Sequence, residues 1–416
     1  MNILIINHYA GSLHYGMEYR PYYLAREWVK QGHQVTVVAA SFSHLRNNQP
    51  EIRKDLSKEK VDGITYLWLK TPEYSGSGLK RVLNIFSFVL KLTLFRNRIA
   101  KLSNPNVVIA SSTYPLDIYP ARAIAKRTNA KLIFEMHDMW PMSPMLIGGY
   151  SKNHPFIWMM QKAENFACRN CDAYVSLLAN TKSYLEQHGL HPDKFKYIPN
   201  GYSTDEVNLD SNQLPFEHES LLNRLQTEKK LIVGYAGGHA PSNALKTLLL
   251  AAEVLKKETQ IAFVLVGNGS EKNELIRMAK QANLSNIYFL PSVSKNVVHK
   301  LLTHFDLLFA GGVKNILHSY GTSFNKITDY MLAAKPIIFA VDEPNSLIEK
   351  TKSGIQIPAE NEKSLVDAIM TITKMTQESR KEMGDKGQDY AIKYLNYKKL
   401  AAEFLFTAES LPIRSK

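Results

Sequence analysis

Residues 321–338 read Gly-Thr-Ser-Phe-Asn-Lys-Ile-Thr-Asp-Tyr-Met-Leu-Ala-Ala-Lys-Pro-Ile-Ile: a polar loop, a short helical pattern with one carboxylate, and an apolar run. The pattern predicts a helix over Asn325–Ala334, stopped by Pro336, and a strand over Ile337–Val341. Thr322, Ser323 and Asn325 stand where free backbone N–H groups point outward at a helix start, which suits an anion. Lys326 adds a positive charge, and Asp329, one turn in, can accept hydrogen bonds from a diol. Phosphate beside diol is the chemistry of a sugar nucleotide. The competing reading is a capped helix with a solvated Lys–Asp pair.

Other loops that follow apolar runs carry small or polar residues. After the first run come His8-Tyr9-Ala10-Gly11-Ser12 and then Gly16-Met17-Glu18-Tyr19-Arg20; after Glu135 come His137 and Asp138. Gly16, Glu18, Arg20 and Asp138 are candidates for the acceptor side of a reaction. His137 either orients a substrate hydroxyl or shuttles a proton, or is a loop histidine bonded to backbone. Further on, Gly237-Gly238-His239 and Gly267-Asn268-Gly269 let backbone approach a phosphate closely. Neither forms a G-x-G-x-x-G fingerprint or a Walker A loop, and no hydrolase Ser-His-Asp spacing stands out. Cys168 and Cys171 make one C-x-x-C without a second pair, so structural thiols in a reducing cytoplasm are expected rather than zinc.

These residues need a scaffold of alternating strands and helices. Strand runs at Asn2–Ile6, Gln34–Ala39, Ile64–Leu69, Val107–Ala110, Lys131–Glu135, Ala173–Ser176 and Lys196–Ile198 alternate with helical patterns such as Tyr19–Gln31 and Asp117–Thr128. The pattern ends at Pro199-Asn200-Gly201 and restarts at Leu231–Tyr235, Ala262–Val266, Ile287–Phe289, Leu307–Ala310 and Ile337–Val341. Two doubly wound α/β domains are predicted, 1–200 and 201–386, with a terminal helix from about 387 to 416 packing back on the first. A cleft between two such domains is the expected ligand site.

The 416 residues carry a net charge of +13, and no run of eighteen uncharged apolar residues occurs. The opening Met1–His8 reads as a strand, not a signal peptide. Residues 1–200 hold 25 Lys+Arg against 14 Asp+Glu, whereas residues 201–416 are nearly balanced. An anionic partner of the first half is implied: nucleic acid, a membrane surface or a phosphorylated substrate. Residues 79–101 contain Lys80, Arg81, Lys91, Arg96, Arg98 and Lys101 with no acidic residue. Lys80, Asn84, Ser87, Lys91 and Arg98 recur at helical spacing as a polar stripe beside a broad apolar face. That helix suits either a membrane interface or packing on the first domain.

Taken in order, the opening strand and loop, Gly32-His33-Gln34-Val35-Thr36-Val37, Glu135-Met136-His137-Asp138 with Pro141, Ile198-Pro199-Asn200-Gly201, Leu265-Val266-Gly267-Asn268-Gly269 and the Thr322–Pro336 block resemble a family 4 glycosyltransferase. That is the retaining GT-B group, two Rossmann-like domains with the active site in the cleft between them. The Thr322–Pro336 block is most similar to the bacterial subgroup that builds O-antigen and capsular polysaccharide. The resemblance implies that Asp329 matches the second acid of the family's Glu-x(7)-Glu helix and holds the donor ribose. The first acid falls on Gly321 and is missing. The diphosphate-binding cations after the first strand of the second domain are also missing, which shifts that role to Lys326, with Gly237, Gly238 and Gly267 lining the donor. Val293 would lie near the nucleobase, and His137 matches the active-site histidine near the transferred sugar. The implied reaction moves an N-acetylhexosamine or deoxy relative from a UDP-sugar to a polyprenyl-diphosphate-linked saccharide, with retention. No Asp-x-Asp motif occurs, so neither a metal nor another cofactor is expected. The implied location is cytoplasmic, peripheral on an anionic membrane surface, with no nucleic-acid partner. A UDP-sugar epimerase of similar shape and a basic nucleic-acid-binding protein are the alternatives.

Overall fold

The computed structural model describes residues 1–76, 78–207 and 213–411. It divides into two compact units, Met1–Pro199 with the segment from Tyr397 onward, and Asn200–Asn396.

In the first unit eight strands form one sheet: β1 (Asn2–Ile6), β2 (Gln34–Ala40), β3 (Ser57–Val61), β4 (Ile64–Leu69), β5 (Val107–Ala110), β6 (Lys131–Met136), β7 (Ala173–Ser176) and β8 (Phe195–Tyr197). Their order is β3-β4-β2-β1-β5-β6-β7-β8, parallel except for the β3–β4 pair. The central strands are buried on both faces, which is why they read as unbroken apolar runs. The strand order reverses between β1 and β5, and the loops after those two strands flank a topological switch point.

The second unit holds a six-stranded parallel sheet: β9 (Leu231–Ala236), β10 (Ile261–Val266), β11 (Ile287–Leu290), β12 (Leu307–Gly311), β13 (Ile337–Ala340) and β14 (Gly354–Ile357). Its order β11-β10-β9-β12-β13-β14 reverses between β9 and β12.

The sequence reading differs from the structure at the C-terminus. The single helix expected from Gly387 is two helices, Gln377–Tyr394 and Tyr397–Ser410. The break falls where the Leu395 carbonyl turns to accept from the Tyr202 backbone N–H at 2.9 Å. Only the second helix joins the first unit, where Trp28 donates to the Ala401 carbonyl at 2.9 Å and Phe404 packs edge-on against the same indole.

Candidate functional site

The first unit gathers its polar chemistry at the C-terminal ends of β1, β5 and β6. Glu135 lies in β6 and His137 just after it, with Nε2 of the imidazole 3.1 Å from Glu135 Oε2. Ser111, directly after β5, donates to the same oxygen at 2.6 Å and lies 2.9 Å from His137 Nε2. Asn7, directly after β1, donates to the Ser111 carbonyl and so spans the switch point. Glu135 Oε1 takes the Arg20 guanidinium at 2.9 Å. Burial alone would push the Glu135 carboxyl up; Arg20, then His137 and Ser111, outweigh it and hold its pKa at about 2. His137 therefore stands beside a fixed anion, anchored on one ring nitrogen.

Arg20 corrects the sequence reading. It is not an acceptor-facing loop residue: it opens the Arg20–Lys30 helix and is 1% exposed. Besides Glu135 its guanidinium donates to the carbonyls of Ile198 and Pro199, tying the helix start to the end of the unit. Its charge is already committed to that internal network.

The other acceptor candidates have local partners. Gly16 closes a tight loop, exchanging backbone hydrogen bonds with Ser12 at 2.8 and 3.1 Å, with φ +98°. Glu18 Oε1 accepts from the Arg20 backbone N–H at 3.4 Å, and its own N–H donates to the Tyr9 carbonyl at 3.1 Å. Asp138 Oδ1 accepts from Met139 N–H at 2.8 Å and Ser143 Oγ at 2.7 Å, which folds the segment after His137.

In the second unit the glycines after β9 and β10 bring the two loops together. A Cβ on Gly267 would lie 1.9 Å from the Gly237 carbonyl oxygen, and one on Gly269 2.3 Å from that of His239. These glycines let the loops after β9 and β10 press against each other, sealed by His239 N–H to Asn268 O at 2.8 Å and Gly237 N–H to Val266 O at 3.0 Å. Gly238 alone in this group has open space at its Cβ position. Its carbonyl accepts from Tyr235 OH at 2.7 Å and Asn243 Nδ2 at 2.9 Å.

Lys326 reaches this loop from the Asn325–Leu332 helix. Its ammonium donates to Asn243 Oδ1 and to Tyr235 OH at 3.4 Å, and lies 5.0 Å from the Tyr235 ring centre. Asn243 follows β9 and Lys326 follows β12, so this cation bridges the second switch point. Among the described residues it has no carboxylate partner, and burial lowers its pKa to about 8. Tyr330 fixes the same helix by accepting from Ala236 N–H at 3.0 Å and donating to the Ala236 carbonyl. Asp329 sits beside Tyr330, half-buried, one turn after Asn325, which is exposed.

Thr322 donates to Glu343 Oε2 at 2.7 Å. Burial raises the Glu343 pKa against that bond. This carboxylate comes from the loop after β13 and meets Thr322, the residue that follows Gly321, where the resemblance leaves an acid missing. The Ser323 carbonyl accepts from Asn200 at 3.3 Å, and Val293 packs against the core of the unit. Sequence reading missed Ser111 and Glu343 because each meets its partner across the sheet, from a separate strand end; Tyr235 and Asn243 flank the Gly237-Gly238-His239 loop, but their types gave no sign that they would receive Lys326. Cys168 and Cys171 are free and buried, and burial raises both thiols. Among the described residues no cluster of His, Cys, Asp and Glu is arranged to hold a metal ion, and no helix is long and apolar enough to cross a membrane.

Two family models match in tandem: Glycosyltransferase Family 4 over residues 15–206 and Glycosyl transferases group 1 over residues 219–390. The chain belongs to the family 4 GT-B glycosyltransferases. Within polysaccharide biosynthesis, it is similar to WcaI of Escherichia coli (strain K12), named for a glycosyl transferase role in colanic acid biosynthesis: 24% identity over 66% of this chain and 68% of that one. It is also similar to the poly(ribitol-phosphate) alpha-N-acetylglucosaminyltransferase of Staphylococcus aureus (strain COL), 26% identical over 43% of this chain. That match spans only 35% of the staphylococcal protein. Among solved structures, Anabaena Alr3699/HepE in complex with UDP and glucose superposes with a TM-score of 0.66 at 15% identity, covering 99% of this chain and 100% of that one. The tandem of Rossmann-like units is thus a GT-B fold.

Proposed function

We propose that this glycosyltransferase moves a sugar, an N-acetylhexosamine or deoxy relative, from a UDP-sugar to a lipid-linked saccharide in cell-surface polysaccharide synthesis, with retention of anomeric configuration. The observation that carries the donor half is Lys326, a half-buried cation at a switch point with no carboxylate partner among the described residues. A diphosphate would supply the missing negative charge and restore the Lys326 pKa. Asp329 would hold the ribose, the Thr322–Asn325 loop the phosphates and Val293 the base. Glu343, beside Thr322, would take over from the acid absent at Gly321. HepE forms a complex with UDP and glucose, and the staphylococcal relative is named as an N-acetylglucosaminyltransferase; both support this donor class.

On the acceptor side, His137 anchored by Glu135 would orient the transferred sugar or the attacking hydroxyl. Glu135 is held by Arg20 and Ser111, which argues against its acting as a nucleophile. Retention would follow from attack on the face the diphosphate leaves, with rate arising from positioning and from leaving-group stabilisation by Lys326. The WcaI name points to an acceptor within an assembling polysaccharide. NMR of the first-formed product tests retention: an α-linked sugar from an α-UDP-sugar supports it, and a β-linked product refutes it.

A further inference from the structure

The Leu79–Ser103 helix carries its apolar stripe on the outside. Leu79, Leu83, Phe86, Leu90 and Leu94 are 79%, 56%, 37%, 59% and 65% exposed. Their spacing of four, three, four and four residues places them within about 80° of one helix face, over a length of about 22 Å. The opposite face, Ile85, Phe88, Leu92, Ile99 and Ala100, is the one buried in the unit.

Two members of the polar stripe, Asn84 and Lys91, are engaged within the unit. Asn84 is buried and donates to the Pro72 carbonyl at 2.6 Å. Lys91 pairs with Asp55 at 3.0 Å, and Arg81 lies over the Tyr9 ring. Lys80, Arg98 and Lys101 remain exposed near the apolar stripe. Scattered exposed leucines need no explanation, but a continuous row of five on one helix face marks a docking surface.

We infer that this helix docks the first unit on an anionic bilayer, with Leu83, Phe86 and Leu90 entering the headgroup–acyl boundary. Charge selects the bilayer over a second copy of this chain. Lys80, Arg98 and Lys101 stand exposed beside the stripe on a helix with no acid, so two copies packed along it would bring like charges together, whereas anionic headgroups complement them. The sequence pattern alone suggested surface attraction by a basic stripe; the exposed face instead implies insertion, with the bases flanking it. The inference deepens the reading that the acceptor is lipid-linked and rests on it for its purpose, though not for its test.

Vesicle binding is measured without any sugar substrate. Wild type should co-sediment with phosphatidylglycerol-containing vesicles, and Leu83→Ser/Phe86→Ser/Leu90→Ser should weaken partitioning at least about tenfold with an unchanged thermal midpoint. Both native thiols are buried, so Leu90→Cys takes an environment-sensitive dye selectively. Its emission should shift to the blue on vesicles and stay shifted in high salt for the protein that remains bound, while a dye at the exposed Glu378→Cys stays water-like. A Leu90 dye that remains water-like, equal partitioning of the triple variant, or a wild-type dimer abolished by the triple change without vesicle binding overturns the inference. Transfer to a water-soluble saccharide fragment should be untouched by the triple change, so loss of docking and failure of the proposed reaction are told apart.

Discussion

Nε2 of His137 lies 3.1 Å from a Glu135 carboxylate whose other oxygen is held by the buried Arg20 guanidinium at 2.9 Å. The charge beside the histidine is therefore fixed from behind, with Ser111 completing the same oxygen at 2.6 Å. His137→Ala should lower kcat by about 10²-fold while leaving UDP affinity within about twofold. Single-turnover kinetics with UDP titration separate the two; a matching loss of UDP affinity would move His137 to the donor side.

Breaking the Arg20–Glu135 pair strands a charge with 1–2% exposure. Arg20→Met or Glu135→Gln should cost about 3–5 kcal/mol in urea unfolding. Glu135 has a folded pKa of about 2 against an ordinary 4.5. Its depressed value means stability that is present above 4.5 and lost as pH falls toward 2. The wild type should show that loss, and Glu135→Gln should flatten it.

Lys326 reports on the donor. Its folded pKa of about 8 lies below the ordinary 10.5, so its contribution to apo stability is complete above 10.5 and lost as pH falls through 8. A bound diphosphate reverses the preference. UDP affinity should therefore rise as pH drops from 9 to 7, by up to about tenfold per unit, and Lys326→Met should remove the slope while weakening binding at pH 7. Calorimetric titration at several pH values checks both; an equal slope in the variant would exclude Lys326 as the titrating group.

Gly267→Ala would drive a Cβ to 1.9 Å from the Gly237 carbonyl and part the two loops. A stability loss of about 1–3 kcal/mol should accompany a smaller UDP-induced rise in Tm. Gly238→Ala, with open space, should leave stability nearly unchanged. Differential scanning fluorimetry with and without UDP distinguishes them.

The sheets were legible because buried parallel strands such as Ile261–Val266 read as apolar runs bounded by glycine. β3, Ser-Lys-Glu-Lys-Val, was missed because an edge strand with partly exposed side chains has no apolar run. β14, Gly-Ile-Gln-Ile, was missed because its four residues are mostly half-buried and begin with glycine. His137 and Lys326 stood out because each sits in a short local pattern, and in the structure each reaches a polar partner, Glu135 and Asn243. Arg20 was misread because its proximity to Glu-18-bearing loop residues said nothing of β6, which strand order brings to it. The sequence left open which face of Leu79–Ser103 points outward because the helix is apolar on two faces, and only packing decides which one is covered.

The central claim is transfer of a sugar from a UDP-sugar to a lipid-linked acceptor. Its most direct test is mass spectrometry of a polyprenyl-diphosphate saccharide incubated with the protein and a panel of nucleotide sugars. The account predicts that the lipid-linked saccharide gains one sugar residue from a UDP-N-acetylhexosamine or deoxy relative, and that Lys326→Met and Asp329→Ala suppress the gain. An acceptor unchanged across the panel while the UDP-sugar is epimerised, or a protein that binds single-stranded DNA and no UDP, would contradict it.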